Sequence, residues 1–438
     1  MYAVCSGNHF RSLCMLRKTG YKNGLLGACI LNFSNHMQER RLSMDVIIPQ
    51  DVTEILAELN RHGFEAFAVG GCVRDMILGR EPGDWDITTS AKPEQVKAVF
   101  GRTIDTGIEH GTVTVMRNQV GYEVTTYRID GEYEDGRHPK SVEFTSNLQE
   151  DLKRRDFTIN AMAYSPETGI VDLFGGMKDL KLGVIRCVGE PEERFSEDAL
   201  RILRAIRFSA QLGFSIEEQT YEAVCQIAHN LVHVSKERIQ VELTKLLLSD
   251  HPENMKLVFE SGISPYISKE FHSLKGKPVA VSPGLPRQKA LRWGAFLTNV
   301  SQQTAVNILK DLKLDNDTIS RVKVFNQWWD VPLEEDPVHM RTVMSQMDPE
   351  LFDQLLLLKE SLASDQEHMR RLYELRDQIR ENGDCISLKQ LAVTGSDLIA
   401  LGMKPGKEIG ETLKRMLQLV LEQPEKNEKE YLLSLLKN

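Results

Sequence analysis

Long apolar runs are missing from this sequence. No stretch of its 438 residues approaches the roughly 18 consecutive apolar side chains that a membrane-spanning helix needs, so no membrane partner is expected. Cysteine is sparse and scattered, at positions 5, 14, 29, 72, 187, 225 and 385. Those seven include no CxxC pair and no Cys/His ligand spacing, which points to reduced thiols in a cytoplasmic protein. The histidines form neither an HExxH motif nor a His-Asp pair, so nothing supports a second, metal-hydrolase domain. A fixed-period repeat is also absent. Nor is positive charge in excess. The net charge of −9 excludes a globally basic nucleic-acid coat, although a basic groove can sit inside an acidic molecule.

What is there is the composition of a soluble globular protein, 41% hydrophobic and 27% charged, in a chain too long for one compact core. The first 43 residues stand apart, with six Lys/Arg against one acid, Glu39, three of the seven cysteines, and no sustained helical period. They read as an extension outside the fold, either a targeting presequence or a non-native start with Met44 as the true beginning. From Met44 the apolar spacing becomes regular. Residues 51–62 predict a short amphipathic helix, "FEAFAVGG" a strand that stops at a glycine pair, "VRDMILG" a helical turn, and "DWDITTS" a second strand. "KPEQVKAVF" reads as helix, and "HGTVTVMR" and "GYEVTTYRID" as strands paired around a turn at 118–121. "DGEYEDGRHPK" has the Gly, Asp and Pro content of a mobile loop, ahead of "SVEFTS".

Beyond residue 184 the pattern is almost continuously helical. "SEDALRILRAIRFSAQLG" has Ser196 at an N-cap position, Gly213 at the close, and Leu200, Leu203, Ile206 and Phe208 on an apolar side. Further helices are expected at 217–229, 236–249, 287–300, 302–313, 350–363, 365–381 and 407–422. The fold class is an α+β head followed by an extended all-α remainder.

The chemistry concentrates in "AVGGCVRDMILGREPGDWDITTS", residues 68–90. Period two puts Asp84 and Asp86 on one face of the second strand, with Trp85 on the other. Two such carboxylates, with Glu123 on a partner strand as a candidate third, suit a pair of Mg²⁺ ions, hard cations held by a few carboxylates and substrate phosphates. Ions about 3.5–4 Å apart lower the pKa of an attacking hydroxyl and neutralise a leaving pyrophosphate. The Gly70–Gly71 turn exposes backbone N–H groups that can cradle a triphosphate, and Arg74 can add a bidentate contact. Each piece alone also fits a solvated strand edge or an ordinary turn. Their conjunction reads as nucleotidyl transfer.

Four ordered stretches, "GGCVRD…GDWDIT", "EVTTYRID…DGRHPKSVEF", "RRDFTINAMA" and "EDALRILRAIRF", resemble the class II tRNA nucleotidyltransferases, the CCA-adding enzymes of the polymerase-β-like superfamily. The resemblance is dense over residues 44 to about 250 and looser beyond. It implies a polymerase-β-like head at 44–182, a neck for base selection at 183–250, a helical body at 251–345 and a tRNA-binding tail at 346–438. It also implies addition of C, C and A to the tRNA 3′ end from CTP and ATP, without a nucleic-acid template. Asp84 and Asp86 would hold the metal, Glu123 would complete the acidic set, and Gly70, Gly71 and Arg74 would hold the triphosphate. Arg155 and Asp156 match positions that contact the ribose, with Asn160 in support; otherwise "RRD" reads as a basic, solvated turn. Arg137 falls in the family's flexible loop.

On one helix Asp198 and Arg201 would share a face at i and i+3. A carboxylate accepts from an exocyclic amino group and a guanidinium donates to ring acceptors. CTP and ATP both carry an amino group beside an acceptor ring nitrogen, and UTP and GTP do not. The resemblance implies that this pair selects C and A, with Glu197 positioning Arg201 by ion pairing. The plainer reading is an acidic first turn with an internal salt bridge. Arg204 and Arg207 continue at i+3 steps as a basic stripe facing triphosphate or primer, or as a solvated face. "GMKPGKEIG" is a spoiled phosphate loop, one residue short and with Glu408 where Ser or Thr should follow Lys407. Lys404, Lys407, Lys414 and Arg415 suit an RNA backbone or a solvated surface, and Trp328–Trp329 continue an apolar helical stripe. Rival functions are a bacterial-type poly(A) polymerase, a C-only or A-only enzyme, and a catalytically silent RNA-binding protein. "TGIEHGTVTV" and the short chain after the neck favour the CCA branch, and the intact "DGEYEDGRHP" loop counts against C-only addition.

Overall fold

The structure, a computed structural model, describes residues 48–130 and 142–436. The extension at 1–43 and Arg137 therefore lie outside the described residues. The first helix, α1 (Gln50–Arg61), buries Val52, Ile55, Leu56 and Leu59, the i, i+3, i+4, i+7 stripe its sequence carries. Next come β1 (Ala66–Val69), α2 (Gly71–Ile77), β2 (Ile87–Thr89), α3 (Pro93–Val99), β3 (Thr103–Gly107), β4 (Thr112–Arg117) and β5 (Val120–Thr126). A small hairpin of β6 (Arg128–Asp130) and β7 (Val142–Phe144) precedes α4 (Leu148–Lys153), β8 (Met162–Ser165) and β9 (Gly169–Asp172).

Seven strands form one sheet in the order β3-β4-β5-β2-β1-β8-β9, with β2 and β5 parallel and every other neighbour antiparallel. Asn118 and Gln119 take φ of 46° and 67°, the left-handed pair that closes a two-residue hairpin between β4 and β5. Apolar clusters lie on both faces of β1, while the Gly121–Glu123 face of β5 stays open. On β1, Ala66 and Ala68 join the main apolar cluster, while Phe67 and Val69 point to a smaller one with Tyr127, Leu152 and Ala163.

The strand expected at 84–90 is shorter than its sequence suggests. Pairing between β1 and β2 ends at Ala68 and Ile87, with one further bond from Val69 N–H to the Asp86 carbonyl. Gly70 then turns the chain away at φ 87°. Beyond that bond Asp84–Trp85–Asp86 runs past the sheet, yet keeps its alternation: both aspartates are exposed and Trp85 packs on the main cluster.

After α5 (Gly176–Leu182), the expected helical continuity is broken by a parallel pair, β10 (Val184–Ile185) with β11 (Ser215–Ile216). The single helix expected from Ser196 is in fact two, α6 (Pro191–Glu197) and α7 (Leu200–Leu212). Ser196 lies inside α6. Asp198 is extended, at φ −138° and ψ 101°, and its Oδ1 accepts from the Leu200 N–H at 3.0 Å, so Asp198 does the capping. Gly213 closes α7 at φ 64°, as a left-handed C-cap should. The chain continues through α8 (Glu218–Gln226) and α9 (Lys236–Leu247), which packs against α7.

The remaining long helices include Lys289–Phe296, Gln302–Asp311, Pro349–Leu362, Gln366–Glu381 and Lys407–Glu422. Asn316–Trp328 and Pro337–Met344, not among those expected, are capped by the Asp315 and Asp336 carboxylates. Trp328 and Trp329 pack against the main cluster, which fits the core stripe. That cluster runs from Val52 through α7 and α9 to Leu351, Leu355 and Leu358, while Phe352 and Leu356 of the same helix face a second, smaller core. A third core, with Leu398, Met416 and Val420, closes the C-terminal end.

Candidate active site

Three segments meet at the end of β1. Gly70 occupies a backbone conformation that L side chains rarely adopt, and a Cβ built there would lie 3.1 Å from Arg155 Nη1. The guanidinium of Arg155 therefore sits directly against the glycine turn. It also acts on Asp86: the protein packed around that carboxyl raises its pKa although its edge is exposed, Arg155 pulls the other way, and Asp84 adds a like charge. Asp84, Asp86, Gly70 and Arg155 thus share one neighbourhood.

Glu123 is placed by register. Ile87 pairs with Val124, so Asp86 and Glu123 occupy the preceding positions of two parallel neighbours, both exposed. The expected three-carboxylate cluster is not formed. Among the described residues no three His, Cys, Asp or Glu side chains are grouped closely enough to hold a metal. Asp86 keeps one bond to the sheet, from the Val69 N–H to its carbonyl at 3.0 Å, and Asp84 lies two residues further from the end of β2.

Behind the turn is a buried polar chain. Arg74 does not present its fork to solvent. Nε and Nη2 donate to both carboxylate oxygens of Asp75 at 3.0 and 2.8 Å, and Nη1 donates to Asn160 Oδ1 at 2.7 Å. Asn160 Nδ2 in turn donates to Asp156 Oδ1 at 3.1 Å, and Arg204 clasps Asp156 Oδ2 from Nε and Nη2 at 2.7 and 2.6 Å. Burial alone would raise the Asp156 pKa. Arg204, Asn160 and Arg201 outweigh it and hold the group down at about 2. Asp151, fully buried, anchors Arg154 at 2.8 Å and Arg155 at 3.4 Å, and those two guanidiniums keep its carboxyl low against the same desolvation.

Arg154, Arg155, Asp156 and Arg204 open onto a cavity of about 240 Å³ whose far wall is Asp198, Leu200, Arg201 and Arg238. Arg201 Nη1 donates to Glu197 Oε2 at 2.7 Å and to the Arg194 carbonyl, and Nη2 donates to the Arg154 carbonyl at 2.9 Å. Asp198 is not on the helix that carries Arg201. Its position in the break between α6 and α7 replaces the expected i, i+3 relationship, yet both still face the cavity. Nor do the arginines form a free stripe. Arg204 is bound to Asp156, and Arg207 is buried, 3.7 Å above the Phe208 ring and paired with Glu242. Burial lowers the Arg207 pKa against the pull of Glu242.

Similarity to known proteins follows the same layout. The sequence family of the poly A polymerase head domain matches residues 66–186, and that of tRNA nucleotidyltransferase domain 2 matches 286–436. The CCA-adding enzyme of Ligilactobacillus salivarius is 37% identical over 374 residues, covering 83% of this chain and 89% of its own. This chain belongs to the CCA-adding enzymes. The Enterococcus faecalis CCA-adding enzyme is 37% identical over 419 residues, covering 89% of this chain and 97% of its own. The crystal structure of the Bacillus stearothermophilus CCA-adding enzyme in complex with CTP matches with a TM-score of 0.78 at 33% identity, over 89% of this chain and 98% of that one.

Several polar residues around the site of this CCA-adding enzyme escaped the sequence reading: Asp75, Asp151, Arg154, Arg238 and Glu242. Asp151 carried a signal, since "DLKRR" sets it three and four residues before two arginines. Asp75 adjoins Arg74. Arg238 and Glu242 gave none, because their partners lie 40 and 35 residues away.

Proposed function

We propose that this chain adds C, C and A to the 3′ end of tRNA from CTP and ATP, releasing pyrophosphate, in the cytoplasm. The observation that carries this reading is Arg155, which touches the Gly70 turn, acts on Asp86 and borders the cavity of Asp198 and Arg201. One guanidinium thereby joins a phosphate turn, a carboxylate pair and a base-sized pocket. The four described free cysteines fit the compartment, and no described helix is long and apolar enough to cross a membrane.

Asp84 and Asp86 fit Mg²⁺, which is commonly held by one or two carboxylates with the remaining oxygens from substrate phosphates and water. Bound there, it would supply Lewis-acid activation of the primer hydroxyl and the α-phosphate, with Glu123 on the neighbouring strand β5. The protein's own part is orientation. The Gly71 amide and Arg155 receive the triphosphate, while the Gly70 N–H donates to the Met162 carbonyl at 3.2 Å and Arg74, committed to Asp75 and Asn160, holds the turn in place. Asp156 is ionised and faces the cavity, so it accepts from a ribose 2′-hydroxyl that a deoxynucleotide lacks. Asp198 accepts from the amino group of cytosine or adenine, and Arg201, fixed by Glu197, donates to the neighbouring ring acceptor. The 3′-oxygen attacks the α-phosphorus, the bond to pyrophosphate breaks, and the chain grows by one nucleotide. Arg204 supports Asp156, and Arg207 supports the neck.

In this reading the head spans 44–182, the neck 183–250, the body 251–345 and the tail 346–438. The tail grips the RNA backbone, and Lys389 and Lys414 beside a groove of about 780 Å³ suit that task. The test uses purified protein with Mg²⁺, tRNA transcripts ending at the discriminator base, at C and at CC, and each NTP separately. Stepwise completion to CCA supports the reading. A long A tail supports a poly(A) polymerase, and a stop after CC supports a C-only enzyme.

A further inference from the structure

Asp198 faces the cavity from the break between two helices, so no helix fixes the direction of its carboxylate. Two contacts do. Oδ1 accepts from the Leu200 N–H at 3.0 Å, and Oδ2 accepts from Arg238 Nη2 at 2.9 Å. Arg238 comes from α9, 40 residues along the chain, and lines the same cavity. Asp198 is its one ion-pair partner among the described residues, and its Nη1 is buried without a hydrogen bond. The guanidinium is thus dedicated to one carboxylate rather than shared in a network.

We infer that Arg238 is a positioning residue for base selection, holding Asp198 so that only a base with an amino group at the right edge fits. This rests on Asp198 reading the base. A carboxylate fixed from both oxygens repels the O4 carbonyl of uracil and accepts from the N4 amino group of cytosine. Released from Arg238, it rotates and hydrates, relieving the clash with uracil as well as losing the bond to cytosine. The consequence is a change in preference, not only in rate.

The experiment measures kcat/KM for CTP and UTP on the full-length protein with a tRNA primer, for Arg238→Ala, Arg238→Lys, Asp198→Ala and the Arg238→Ala/Asp198→Ala pair, with thermal unfolding of each. Arg238→Ala should lower the CTP-over-UTP preference by about tenfold or more. Arg238→Lys, which keeps one charge-assisted bond, should recover most of it, and the double variant should lose no more than Asp198→Ala alone. The inference is overturned if Arg238→Ala and Arg238→Lys both keep the wild-type preference, or lose rate equally for both nucleotides, while Asp198→Ala abolishes the preference. If Asp198→Ala itself leaves the preference intact, the base-pocket reading fails and takes the inference with it.

Discussion

Asp156 and Arg204, 48 residues apart in sequence, are clasped through two guanidinium nitrogens at 2.7 and 2.6 Å. That clasp joins the sheet-bearing head to α7, and Asn160 extends it to Arg74 behind the glycine turn. The glycine turn and the cavity are therefore connected by one polar chain.

Its pH response has a definite sign. The Asp156 carboxyl is depressed from its usual 3.8 to about 2, so the stabilisation is complete above about pH 4 and is lost as pH falls toward 2. The contribution is on the order of 2 kcal/mol. Chemical denaturation of the wild type and Asp156→Asn at pH 6, 4 and 3 should show the difference between them narrowing with acid. In the same variant, discrimination against deoxynucleotides should weaken.

Asp86→Ala should reduce incorporation by about 10³-fold or more while tRNA affinity stays within a few-fold. Single-turnover incorporation and filter binding measure the two separately. Incorporation near the wild-type rate would remove Asp86 from the metal assignment.

Gly70→Ala combines two penalties. The backbone is strained by about 1–3 kcal/mol at positive φ, and the new methyl lies 3.1 Å from Arg155 Nη1. Gly63 also has positive φ, at 82°, but nothing lies within 4 Å of the position its Cβ would take. Gly63→Ala should therefore lower stability alone, whereas Gly70→Ala should also cut kcat/KM for CTP by about 10²-fold.

Arg207 is predicted to matter for folding. Removing one partner of its buried pair with Glu242 should cost about 3–5 kcal/mol, read by denaturant titration of Arg207→Ala and Glu242→Gln. A triphosphate ligand would behave otherwise, losing nucleotide affinity with stability intact.

Local patterns were legible from sequence. The α1 stripe, the glycine at the end of β1, the hairpin turn at Asn118 and the alternation across Asp84–Trp85–Asp86 all rest on residues within one or two turns of each other. The break at Asp198 was hidden because "SEDALR" contains no Gly or Pro, and Ser196 and Asp198 are both good N-caps. Long-range pairing was hidden too. Arg74 looked free to bind phosphate because Asn160, its partner, is 86 residues away, and Arg207 looked exposed because Glu242 arrives from α9. Tertiary packing decides which charges remain available to a ligand.

The main apolar cluster, which passes from the sheet through α7 and α9 into the helix Pro349–Leu362, has a practical consequence. A fragment cut near residue 183 would bare the greasy flank that α7 normally covers, and should be recovered as aggregate rather than as a miniature catalyst. Limited proteolysis should instead nibble inward from the C-terminal end, where the cores are small and separate, leaving a resistant piece that retains Pro349–Leu362.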